Sequence, residues 1–130
     1  MTTQQRQVAR LVAVLALLSG AAHAQGPQLN QVMRTKLLHA QQTLEAVVTA
    51  DWTGLERHAR ELERLTQSPG WMVLQYPEYR TQSQAFVTSL QTLQRVAGER
   101  DSGRATDAYT AVVRQCVACH QYVARARIAR

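Results

Sequence analysis

Cys116 and Cys119 are the only cysteines in the chain, and both lie in the run Cys116-Val117-Ala118-Cys119-His120. Cys-x-x-Cys-His is the spacing at which haem is attached covalently. Two thiols add across the two vinyl groups of haem to form thioethers, and the adjacent imidazole is placed to ligate the iron. The other uses of such a pair fit less well. A disulfide across Cys-x-x-Cys within a continuous helix has awkward geometry. A thioredoxin-like redox motif belongs near a βαβ pattern, and no strand signal is present. Structural zinc takes four ligands, whereas the chain offers two sulfurs and His120, with His39 and His58 the only other histidines past residue 24.

Attachment of this kind takes place outside the bacterial cytoplasm, so the motif calls for an export route. Arg6 and Arg10 precede a short apolar run, Leu11 to Leu18, and small residues lead to Ala22-His23-Ala24. That pattern predicts a signal peptide over residues 1–24 and a periplasmic chain beginning at Gln25. The run is shorter than the ~20 residues that span a bilayer, and no later stretch reaches that length. The remaining 25–130, about 106 residues, suit one domain. The formal charge of +6 falls to about +4 without Arg6 and Arg10, and two haem propionates would lower it to about +2. Arg125, Arg127 and Arg130 close the chain, suiting a solvated helix end or a docking patch for an acidic redox partner. Nothing in the pattern indicates nucleic acid.

The elements that must position the motif are helical. Apolar residues recur at helical spacing in four segments separated by breakers. The first runs from about Gln28 to Ala50 with a seam of Met33, Leu37, Ala40, Leu44 and Val47. Asp51 can cap the second, whose seam is Trp52, Leu55, Ala59, Leu62 and Leu65, and Ser68-Pro69-Gly70 ends it. A connector to Tyr76 holds Trp71, Met72, Val73 and Leu74, too apolar for an ordinary solvated loop. Pro77 suits the first turn of a third helix carrying Tyr79, Ser83, Phe86, Leu90, Leu93 and Ala97. Gly98 to Gly103 is a polar break. The fourth, from about Arg104 to Arg127, carries Ala105, Ala108, Val112, Cys116, Cys119 and Val123. The expected fold is all-α: an antiparallel up-down-up-down four-helix bundle holding one covalently bound haem c per chain between its helices.

On the fourth helix Cys119 and His120 fall about 60° and 40° to either side of Cys116. All three then share one inward arc. In an up-down-up-down bundle the last turns of the fourth helix lie level with the first turns of the first helix. Met33 matches His120 in height and is the candidate sixth ligand, through its thioether sulfur; the alternative is Met33 as core packing beside a five-coordinate iron. Met72 is a weaker candidate, and His39 and His58 read as boundary residues. Arg34, Arg64, Tyr79 and Arg125 could reach the propionates or the haem edge.

A haem-attachment motif near the C-terminus of a four-helix chain resembles the class II c-type cytochromes, the cytochrome c-prime family with its low-spin, methionine-ligated relatives. The resemblance extends from Val32-Met33-Arg34-Thr35-Lys36-Leu37 to Cys116–His120. It implies thioethers at Cys116 and Cys119, His120 as proximal ligand, a distal residue from the first helix, and dimers. If Met33 is the distal residue, a low-spin haem follows. If Arg34 matches the family's helix-one arginine, the distal residue is Leu38 and the haem is five-coordinate. Ala124 stands where the family often has a basic residue.

Two functions compete. The first is electron transfer by a periplasmic monohaem cytochrome, which needs no catalytic residues and is not an enzyme. The second is binding of nitric oxide or carbon monoxide at an open distal site lined by Leu37 or Leu38. The distal pocket decides between them. A peroxidase would need a distal His or Arg pair, and none lies on the seam.

Overall fold

A computed structural model describes residues 25–126; the expected signal peptide, together with Arg127 and Arg130 of the basic tail, lies outside the described residues. Four helices follow one another: α1 (Gln25–Thr49), α2 (Trp52–Leu65), α3 (Pro77–Glu99) and α4 (Ser102–Ala126). Consecutive helices pack together, and α1 also meets α4 along the least extensive of the four helix contacts. Among the described residues there is no strand, and no helix is long and apolar enough to cross a membrane. The arrangement is consistent with a four-helix bundle.

The links are shorter than the sequence suggests, because each turn satisfies its own backbone. At the end of α1, Ala50 takes a left-handed φ of 55°. Asp51 N–H then donates to Ala46 O at 2.9 Å and Ala50 N–H to Val47 O at 3.4 Å, the pairing that closes a Schellman turn. Asp51 in turn caps α2, its Oδ1 accepting from Gly54 N at 2.9 Å. The α3–α4 turn repeats the device. Arg100 has φ 54°, and Asp101 Oδ1 accepts from Arg104 N at 2.9 Å. The polar stretch Gly98–Gly103 is therefore mostly helical, with only Arg100 and Asp101 between the two helices.

Between α2 and α3 the connector turns inward. Trp71 is 1% exposed, and its ring stacks on Phe86 with centroids 5.7 Å apart. Its Nε1 donates to Ser83 Oγ at 3.0 Å, and Tyr79 Oη donates to the Trp71 carbonyl at 2.8 Å. The apolar connector is thus part of the core, joining Leu55, Leu62, Leu90, Leu93 and Val112. Each such side chain contributes roughly 1.5–3 kcal/mol on burial.

The main departure from the sequence reading is the rotation of α1. Its buried positions are Lys36, Thr43, Ala46 and Val47, while Leu37 and Leu38 are 60% and 52% exposed and Leu44 is also exposed. The inward face is displaced by about one residue from the expected seam. An apolar template passes over Lys36 and Thr43, yet both are accommodated. Thr43 Oγ1 donates to His39 O at 2.7 Å, and Lys36 lies against aromatic rings.

Candidate functional site

Cys116, Cys119 and His120 lie in the second half of α4, whose start is fixed by the Asp101 cap. The helix carries the two sulfurs at different depths. Cys119 is 8% exposed and Cys116 half-buried; both are free thiols. His120 is exposed rather than turned into the core. The reason lies in the bundle: α4 meets α1 less extensively than it meets α3, so a residue on that flank faces a cleft instead of packed side chains.

That cleft, ≈ 350 Å³, brings Cys116 and His120 of α4 together with Met33, Arg34, Lys36 and Leu37 of α1. Its volume is at the small end of ordinary ligand sites. Ala40 also lines it. Tyr109 Oη donates to the Ala40 carbonyl at 3.0 Å, a direct tie between α4 and α1. Of the residues singled out from the sequence, Cys116, His120, Met33, Arg34 and Leu37 share this cleft. Leu38 does not line it, and neither does Cys119, which lies deeper in the chain's interior.

The remaining candidates are placed elsewhere. Met72 is exposed and lines a separate cleft with Leu74 and Arg80. Arg64 pairs with Glu61 on the surface at 2.7 Å, an exposed pair of little energetic weight. Tyr79 is buried with its hydroxyl committed to Trp71. Burial raises its pKa to about 12. Arg125 is exposed in the last turn of α4. His39 and His58 form a pair across α1 and α2, Nδ1 to Nδ1 at 3.2 Å.

Lys36 is the residue that the sequence reading passed over. It is 6% exposed and yet lines the cleft. Its Nζ stands 4.0 Å from the Phe86 ring centroid and 4.8 Å from that of Trp71. Burial pushes the ammonium's pKa down, while Cys116 and Cys119 favour the charged form. Burial likewise pushes the Cys119 thiol up, with Lys36 opposing and Cys116 adding to the rise. The only available signal was that a chain rich in arginine has a single lysine, set within the apolar stretch of α1.

Among the described residues no group of three or more His, Cys, Asp or Glu side chains is assembled to hold a metal ion. A haem brings four of its iron's ligands with it and would ask this chain for two attachment thiols and an imidazole. Cys116 and His120 line the cleft, and Cys119 lies buried on the same helix. Comparison with known proteins adds no relative: no family model matches the chain, and no curated protein or solved structure matches it.

Proposed function

We propose that the protein is an exported monohaem c-type cytochrome that transfers electrons. The observation that carries this reading is the meeting of Cys116 and His120 with α1 across one largely apolar cleft, with Cys119 one helical turn further along α4. Cys116 and Cys119 would hold haem c through thioethers, and His120 would ligate its iron. When bound, the haem would supply a one-electron redox centre.

The chain's own contribution is a rigid, low-dielectric seat. Helical links of two residues, at 50–51 and 100–101, support an antiparallel up-down-up-down course. The core of Trp71, Phe86, Leu90 and Leu93 holds the connector and α3 firmly in place. Arg34 lines the cleft at a position suited to a propionate. Exposure of His120 and the openness of the α1–α4 side suit an accessible haem edge and a redox partner protein docking there. Periplasmic location follows from the same reading, since thioether attachment and the N-terminal pattern of residues 1–24 call for export. The resemblance to class II c-type cytochromes belongs to this proposal as well.

Optical spectra of the purified protein in both oxidation states test it. A covalently bound haem that cycles reversibly between ferric and ferrous forms, and whose ferrous form is unreactive toward carbon monoxide, is the expected result. Ready binding of carbon monoxide would instead support a gas-binding protein with an open distal site.

A further inference from the structure

We propose that Lys36, through its Nζ, would join His120 in ligating the iron of a bound haem; this rests on the haem reading above. Lys36 is buried on the inward side of α1 and lines the same cleft as Cys116 and His120. It takes part in none of the ion pairs among the described residues. Among the described residues, the groups that act on its charge are the Phe86 and Trp71 rings and the two cysteines.

A buried ammonium without a carboxylate is costly, and a ring face offsets only part of that cost. Structural packing is a poor account of such a residue, because leucine or methionine would fill the same space without the penalty. The two cysteines favour the charged form only while they can ionise. Once their sulfurs are thioethers that support is gone, and burial alone governs the amine. With its proton released to water, Nζ would hold the iron of a bound haem through its lone pair, with no change of oxidation state. Met33 also lines the cleft, but its side chain is accounted for as apolar packing against the core. Ligation by two nitrogens would hold the potential below that of the methionine–histidine pairing, which raises it.

The chain has one lysine, so the test is unambiguous. Wild type, Lys36→Leu, Lys36→Met and Met33→Leu are produced with export and haem attachment intact, and their optical and electron paramagnetic resonance spectra are recorded. The expected wild type is low-spin, without a sulfur-to-iron charge-transfer band. Lys36→Leu is expected to lose that low-spin signature and bind carbon monoxide, while Met33→Leu keeps the wild-type spectrum. Lys36→Met preserves side-chain length, so it reports on ligation even if the leucine variant folds poorly; its spectrum must also differ from wild type. A high-spin wild type, a Lys36 variant with the wild-type spectrum, or a Met33→Leu variant that turns high-spin overturns the inference. A chain with no covalent haem overturns the haem reading itself, an outcome distinct from a haem-loaded protein indifferent to Lys36.

Discussion

The Lys36 ammonium rests 4.0 Å from the centre of the Phe86 ring, against a core built mainly from apolar side chains. In the chain without haem this burial opposes folding. The folded-state pKa of Lys36 lies below the ordinary 10.5, so between those two values the unfolded chain binds more protons. Stability contributed through this group therefore rises with pH across that window. Lys36→Met in the haem-free protein is expected to be more stable than wild type near neutral pH, with the advantage shrinking as pH approaches about 10. Denaturant midpoints of the two proteins at several pH values check this; a difference that does not vary with pH contradicts it. The paired comparison matters, because the raised thiol pKa of Cys119 acts in the opposite sense in both proteins.

The His39–His58 pair gives an acid dependence. Burial first, then the positive charges of Arg57 and His39, lower the pKa of His58 below 6.5. The stability tied to a neutral His58 is intact above pH 6.5 and is lost as pH falls below it, since the unfolded chain takes up the proton first. His58→Gln is expected to flatten the stability profile between about pH 7 and 5. A profile unchanged by the substitution would exclude the pair as its source.

Ala50 and Arg100 both hold left-handed backbone, at φ 55° and 54°, where a Cβ is unfavourable. That conformation costs a non-glycine residue roughly 1–2 kcal/mol, and glycine returns part of the gain as unfolded-state entropy. Ala50→Gly and Arg100→Gly are each expected to stabilise the protein by about 0.5–1 kcal/mol. Thermal unfolding midpoints should rise by a few degrees for a domain of this size. A fall in either variant would mean that the side chain contributes more than the strain costs.

Gly70 is where the connector meets α1. A Cβ there would lie 2.7 Å from Val32 Cγ2 and 3.1 Å from the Gln28 carbonyl. Gly70→Val is expected to cost about 1–3 kcal/mol, the range for overpacking. Chemical denaturation measures it, and a neutral effect would show that the connector can lift from α1 freely.

Much of this fold could be read from the sequence, and the failures have a common cause. Asp51, Pro77 and the apolar residues of α2 and α3 act through local rules of capping and periodicity, and they fall where expected. α1 is different. Its spacing admits an apolar seam through Leu37 and Leu44, but tertiary packing turns it so that Lys36 and Thr43 face inward. Thr43 is satisfied by the His39 carbonyl, and Lys36 by rings from the connector and α3. The Thr43 partner lies four residues back on the same helix, but the rings that receive Lys36 come from other elements and are not legible from spacing within α1. The same applies to His120: its arc on α4 was clear, but its exposure depends on how widely α1 stands from α4. Met33 and His120, matched in height from the sequence, do line one cleft, because height along a bundle follows from helix and link lengths.

Covalent haem on Cys116 and Cys119 is the claim on which the functional account depends, and the intact mass of the protein measures it most directly. The chain is expressed with its N-terminal segment in a host that attaches haem to an unrelated cytochrome, then purified and digested. The account predicts that the intact protein carries the added mass of one haem, located on the peptide containing Cys116 to His120. An intact mass without that addition, with both cysteines free to react with an alkylating reagent, would contradict it.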